Sequence, residues 1–190
     1  MPSPMSQAPT LTTRRLVLRP FAPDDAAAVH AHLADREVAA TTASIPHPYP
    51  DGAAEEWIGT HGRRYAAGEA VVLAIALRET GALVGSIEIR LVPGHRRAEL
   101  GYWIGRAHWG RGYATEAADA LVRWGFATLG LHRVTAAHLT RNPASGRVLL
   151  RIGMRHEGRL RKHFLKWGVL EDLDLYGILE HELPPAAASF

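Results

Sequence analysis

The sequence predicts an α/β domain of the α+β kind, a mixed and mainly antiparallel sheet flanked by helices. Three observations predict it. Segments of period two and segments of period 3.6 alternate from Arg15 to Leu179, with no repeat and no internal linker. The longest helical pattern follows a strand through a glycine-rich turn, and closely spaced strand patterns read as antiparallel pairs. At 190 residues the chain suits one domain burying its own core. Residues 1–10 are expected to be a flexible leading segment, 11–183 the domain and 184–190 a flexible tail.

Each element has its own signal. Arg15 to Phe21 alternates as a strand, and Pro23, Asp24 and Asp25 start a helix through Leu33. Thr42 to Gly52 holds Pro46, Pro48 and Pro50 and reads as a loop. Ala53 to Ala67 is helical, with Trp57, Ile58, His61 and Tyr65 on one side. Val71 to Leu77 and Leu83 to Leu91 are strands joined by a turn on Gly81, and Glu99 to Gly105 is a third. The long helix repeats small or apolar residues at Ala114, Ala117, Ala118, Leu121, Val122, Phe126 and Leu129, and Gly130 ends it. A strand at Val134 to Thr140 precedes a helix at Pro143 to Ile152, with Asn142 a favoured cap and Pro143 a favoured first residue. Strands near Gly158 to Leu165 and Asp172 to Leu179 close the domain.

Composition excludes several chemistries. With no cysteine there is no disulfide, no thiolate zinc site and no covalent S-acyl enzyme. The first residues lack the layout of a signal peptide, and the apolar run Ala70 to Leu77 is far short of the ~20 residues of a membrane span. A cytoplasmic protein without a membrane partner is expected. The eleven histidines form no HExxH or HxxEH, so no metal is expected, and Ser86 sits in no GxSxG elbow. A pI near 9.6 and the cluster Arg155, Arg159, Arg161, Lys162 and Lys166 raise nucleic acid as a partner. A net charge of only +3 and a basic complement that is almost entirely arginine argue for a solvated strand instead.

The segment Trp109 to Phe126, WGRGYATEAADALVRWGF, carries the functional signal. Gly110 and Gly112 remove the Cβ atoms that would hold a ligand off the backbone. The helix that follows offers unpaired N–H groups and the positive end of its dipole, a ready anion site, and Arg111 could add a charge-assisted contact. A dinucleotide fingerprint fails, since Thr115 stands at its third glycine and the strand His132 to Thr140 has no acidic residue for a ribose. A P-loop also fails, since Arg111 and Gly112 replace its lysine and hydroxyl.

The turn WGRGYA does resemble the Q/RxxGxG/A turn of the GNAT acyltransferases, with Gly112 and Ala114 at the two small positions and Trp109 at the usual Gln or Arg. The longer string GYWIGRAHWGRGYATEA is similar to the RimJ/RimL branch. LTTRRLVLRPF, HPYPDGAAEEWI and NPASGRVLLRIGM match further segments of that branch in order. The resemblance implies a GNAT-like sheet with splayed central strands and acetyl-CoA as cosubstrate. It implies a diphosphate held by Gly110, Arg111, Gly112, Tyr113, Ala114 and Thr115, and a pantetheine arm along the backbone of Trp103 and Ile104. Asn142 and Ser145 would sit at the sulfur end, with a bare capping role as the alternative. A homodimer is an option that nothing in the chain decides.

Acyl transfer to an amine needs a base, because an amine of pKa about 8 to 10 is mostly protonated at neutral pH. Glu88 and Glu99 lie on central strands. Alternation puts Glu99, Gly101 and Trp103 on one face, so Glu99 is the favoured base, with an ion pair to Arg90 or Arg97 as its structural alternative. By the resemblance Ser145 is the acid, with Tyr113 or Tyr176 in reserve. The base glutamate of some Rim enzymes falls near Phe164 here, which puts their ribosomal substrates in doubt. The expected function is an acetyl-CoA-dependent N-acetyltransferase using a primary amine: a protein N-terminus, an amino acid or a small amine. A non-catalytic acyl-CoA-binding module and a basic RNA-binding domain are the alternatives.

Overall fold

The run AVVLAIAL has no solvated face: residues 70–76 are all buried, as in a strand covered on both sides. A computed structural model of the protein, describing residues 8–185, places this run inside an eight-stranded sheet. Residues 1–7 and 186–190, which hold most of the two expected flexible ends, lie outside the described residues. The strands are β1 (Leu11–Thr12), β2 (Leu16–Arg19), β3 (Ala70–Leu77), β4 (Leu83–Val92), β5 (Arg97–Ile104), β6 (Arg133–Leu139), β7 (Arg155–Lys166) and β8 (Val169–Leu179). Their order is β1-β2-β3-β4-β5-β6-β8-β7, antiparallel throughout except for β5 against β6.

Helices cover both faces. On one side α4 (Tyr113–Leu129) lies across β2, β4 and β5 and buries Leu121, Val122 and Phe126, each worth about 1.5–3 kcal/mol relative to exposure. Beside it, α5 (Pro143–Arg151) buries Leu149. The other face carries α1 (Ala26–Leu33) and α3 (Ala53–Ala66), where Val29, Leu33, Ala54 and Trp103 form a smaller core. Both fall where periodicity put them, although the first turn at Pro23–Asp25 is a 3-10 turn. A further helix, α2 (Arg36–Thr41), has no counterpart in the sequence reading. Its six residues are too few for a periodic signal, and only the Asp35 side chain, accepting from the Glu37 amide at 2.8 Å, marks its start. The closing strands run longer than expected, because basic residues of β7 can face solvent along a sheet edge.

The ladder between β5 and β6 sets the shape of the molecule. Pairing holds from Arg97 opposite Arg133 to Leu100 opposite Ala136, and stops. Beyond it β5 stays on β4 as far as Ile104, and β6 stays on β8 as far as Leu139. A wedge-shaped slot therefore opens in the middle of the sheet. This is the splay of the central strands.

On α3, His61 stands edge-on to Trp57 at 4.4 Å and to Phe21 at 5.2 Å, and neither of its buried ring nitrogens has a hydrogen-bond partner. Burial, helped by nearby Arg64, lowers its pKa from 6.5 to about 4. A depressed folded value means that the unfolded chain binds the proton more tightly between those limits. This contribution to stability is full above pH 6.5 and is lost as pH falls toward 4. Thermal melts of His61→Leu should accordingly show a shallower fall in Tm over that window than the unsubstituted protein; an unchanged slope would refute the assignment.

Candidate active site

At the mouth of the slot the chain makes the glycine turn. Gly110 and Gly112 have φ of 74° and 79°, left-handed values that strain any other residue, and a Cβ on Gly110 would project into open space. Helix α4 starts immediately, and its first backbone bond is from the Glu116 amide to the Gly112 carbonyl at 3.1 Å. Among the described residues the amides of Tyr113, Ala114 and Thr115 have no acceptor. The buried Thr115 hydroxyl also lacks a partner. Three unpaired amides in one turn, with bare glycine before them, suit the phosphates of a diphosphate.

The turn is braced from far away in sequence. Glu116 accepts from the Thr13 hydroxyl at 2.7 Å, the Arg15 amide at 2.8 Å and Arg15 Nε at 2.7 Å, while Arg15 Nη1 donates to the Arg111 carbonyl at 2.9 Å. Burial alone would push the Glu116 carboxyl up, but these bonds outweigh it and hold it below the usual range. The Arg15 guanidinium also covers the Tyr113 ring at 4.8 Å. Arg111 itself is exposed and absent from the cleft wall, so its carbonyl, rather than its charge, is the part the fold uses.

One cleft of about 860 Å³ contains the turn, the slot and the face beyond it. Trp103, Ile104, Gly110, Gly112, Tyr113, Ala114, Thr115, Asn142, Ser145 and Glu99 all line it, so of the sequence-derived candidates Arg111 and the reserve tyrosine Tyr176 fall outside. The Ile104 carbonyl accepts from Trp109 Nε1 at 2.6 Å, which ties the turn to the end of β5. Asn142 caps α5, its side chain accepting from the Ser145 amide at 3.3 Å and donating to the Thr41 carbonyl at 3.2 Å. The Ser145 hydroxyl lies 2.8 Å from the Tyr102 hydroxyl. Neither reserve tyrosine makes this contact: Tyr113 sits under Arg15, and Tyr176 stacks on His138. Burial pushes the Tyr102 phenol up to about 12, with the bond to Ser145 pulling the other way. The phenol therefore stays protonated near neutral pH. Two basic side chains of α5, Arg147 and Arg151, border the same cleft and went unnoticed in the sequence.

Across the sheet lie the carboxylates. Arg90 Nη2 donates to Glu99 at 2.8 Å, the ion pair anticipated as the structural alternative for this residue. Glu88 is paired more loosely, at 3.6 Å from Arg64 and 3.5 Å from Arg90. Opposite them the 42–50 loop forms a wall. Lys166, only 4% exposed, holds it by donating to the carbonyls of Ala43 at 3.2 Å and Ile45 at 2.7 Å. Of the other basic residues of β7, Arg159 is committed to Asp174 at 2.8 Å and Arg155 to Glu182 at 3.0 Å. Among the described residues no group of three or more His, Asp or Glu is arranged to hold a metal ion, and no helix is long and apolar enough to cross a membrane.

Residues 15–155 match the family Acetyltransferase (GNAT) domain. The chain belongs to the GNAT acetyltransferases. It is 35% identical over 173 residues to YoaA of Bacillus subtilis (strain 168), whose name describes an uncharacterized N-acetyltransferase, over 90% of this chain and 97% of that one. Ribosomal-protein-serine acetyltransferase of Escherichia coli (strain K12) is 33% identical over 95 residues, covering 50% of this chain and 53% of that protein. Among crystal structures, a GNAT-family acetyltransferase from Bacillus anthracis has a TM-score of 0.81 at 28% identity over 92% of this chain and all of that one. Mycobacterium smegmatis RimJ, solved with CoA-disulfide, has a TM-score of 0.80 at 28% identity, covering 93% and 89% of the two chains. The protein is thus an N-acetyltransferase with RimJ-like relatives, and its mixed sheet is the GNAT fold.

Two consequences can be measured. In Gly112→Val a branched side chain at left-handed φ would distort the donor turn, at about 1–3 kcal/mol, and titration calorimetry should show coenzyme A binding weakened by about tenfold or more. Unaltered affinity would show that the turn is not the anion site. Lys166→Met removes both hydrogen bonds to the 42–50 loop, so limited proteolysis within that loop should quicken by about tenfold or more, the weight of one to two hydrogen bonds, while α4 stays uncut; an unchanged rate would show that Lys166 does not hold the loop.

Proposed function

We propose that the protein acetylates a primary amine, taking the acetyl group directly from acetyl-CoA in a ternary complex. The observation that carries this reading is the slot, which opens where β5 and β6 part, with the unpaired amides of residues 113–115 at its mouth and Ser145 on its rim. In this reading Gly110 and Gly112 to Thr115 cradle the diphosphate. The inner edge of β5 around Trp103 and Ile104, which meets no strand there, runs beside the pantetheine arm, and Asn142 fixes the start of α5 so that Ser145 faces the sulfur.

Acetyl-CoA supplies the activated acyl carbonyl. The net change, amine plus thioester to amide plus thiol, moves one proton from nitrogen to sulfur. A carboxylate on the acceptor face, Glu99 or Glu88, takes the proton from nitrogen. Ser145 serves as the acid at the departing sulfur. Tyr102, kept neutral by burial, holds Ser145 in place: its hydroxyl donates to the Ser145 carbonyl at 3.2 Å and lies 2.8 Å from the serine hydroxyl. No covalent acyl-enzyme is needed, and no cysteine is present to form one.

Ser145→Ala should lower kcat for thiol release by about 100-fold, and Tyr102→Phe by less, with coenzyme A binding by calorimetry preserved in both. Undiminished turnover in Ser145→Ala would remove it from the mechanism, and the absence of thiol release with every amine tested would refute acetyl transfer.

A further inference from the structure

We infer that the acceptor is a primary amine carried on an apolar or aromatic body, and that Glu88 is the carboxylate that takes its proton. This rests on the acetyltransferase reading above and names the acceptor half of the same site.

Position along the strands separates the two carboxylates. Glu99 stands opposite Thr135, where β5 and β6 are still paired, so it lies level with the closed end of the slot. Glu88 stands opposite Gly101, the first residue of β5 beyond the last paired position, Leu100. It is also folded against that glycine: a Cβ on Gly101 would lie 3.3 Å from Glu88 Oε1. A bare position there lets the carboxylate lie beside the opening.

Bonding and exposure point the same way. Glu99 has one oxygen engaged by Arg90 at 2.8 Å, and its side chain is 47% exposed. Glu88 accepts no hydrogen bond among the described residues, and its side chain is 22% exposed. Its two guanidinium neighbours stand off at 3.5 and 3.6 Å, beyond hydrogen-bond distance, so its lone pairs stay open. A sheltered carboxylate with open acceptor sites, at the height where the sheet divides, is suited to drawing a proton from an incoming ammonium group.

The rest of the chamber sets the body of the acceptor. Facing the strands are Ile45, Pro46 and Tyr49 of the loop and Trp57 of α3, an apolar and aromatic wall held by the two bonds from Lys166. Among the described residues Glu88 and Glu99 are the only carboxylates in the cleft wall, and Arg64 and Arg90 already pair with them. A second positive charge on the acceptor would find no partner, whereas an apolar body would leave water for the Tyr49 and Trp57 rings. The ammonium form first gives one proton through Glu88 to solvent; the neutral nitrogen then bonds the acyl carbon, the carbon–sulfur bond breaks, a second proton leaves nitrogen through Glu88, and the thiolate takes one from Ser145, which regains it from solvent, so one proton is released net.

The test is an amine panel with acetyl-CoA, read by thiol release and by mass spectrometry of the product: phenethylamine, a peptide beginning with phenylalanine, and spermidine. Either apolar acceptor should exceed spermidine in kcat/KM by about tenfold or more, the ratio of the first two telling a small amine from a peptide N-terminus. Glu88→Gln should reduce kcat by about 100-fold, and by at least about tenfold more than Glu99→Gln does, with coenzyme A affinity by calorimetry showing that the variant is folded. Trp57→Ala should raise KM for the apolar acceptor more than it lowers kcat. Preference for spermidine, or a larger loss in Glu99→Gln than in Glu88→Gln, would overturn the inference and leave the acetyltransferase reading standing. Coenzyme A binding without acetylation of any amine would overturn both.

Discussion

The parting of β5 from β6 after four residue pairs is the constraint on which the rest of the molecule depends. Two adjacent strands normally zip closed, because each unpaired N–H and C=O shielded from water carries a cost. Here closure is prevented from outside. β5 is held by β4 over eight pairs and β6 by β8 over seven, so each strand is fixed on its outer edge while its inner edge, beyond Leu100 and Ala136, meets no strand. An exposed pair of inner edges is a standing demand for a ligand with amide groups of its own. It is also why a glycine turn and a helix start can sit at the mouth of the slot without blocking it.

The turn is kept in shape by charge rather than by its own sequence. Glu116 lies in the first turn of α4, where a negative charge is favoured by the helix dipole, yet it points back to Thr13 and Arg15. That clasp joins the sheet's short first hairpin to the anion site and leaves the backbone amides of residues 113–115 without a protein acceptor. Had the carboxylate folded over the amides as a cap does, the site would be filled by the protein itself.

What could be read from the sequence was local, and what could not was long-range. The glycines at 110 and 112, the apolar stripe of α4, the Asn142 cap and the alternation in β5 are patterns within a few residues, and the structure has all of them. The residues placed in the slot from the resemblance also share one cleft, apart from Arg111. Missed were contacts between residues about a hundred apart. Arg15 on Glu116 and Lys166 on the Ala43 and Ile45 carbonyls leave no periodic trace. Tyr102 escaped for a different reason. Its place on strand β5 was clear, but its proximity to Ser145 depends on how α5 is set over the sheet.

Period two in β5 finally bears on how the proposed reaction could be served from both faces of the sheet. Tyr102 lies on the face covered by α4 and α5 and reaches Ser145, while Glu99, Gly101 and Trp103 lie on the face covered by α1 and α3. A group that gives a proton to sulfur and a group that takes one from nitrogen must approach the acyl carbon from different directions, and must not neutralise each other. Groups on the same face of a strand would be neighbours. On opposite faces, with the sheet split between them, they can meet only through whatever occupies the slot. In the proposed reaction the separation of acid from base is therefore a property of the pleat, and the slot is what would allow the two to act on one bond.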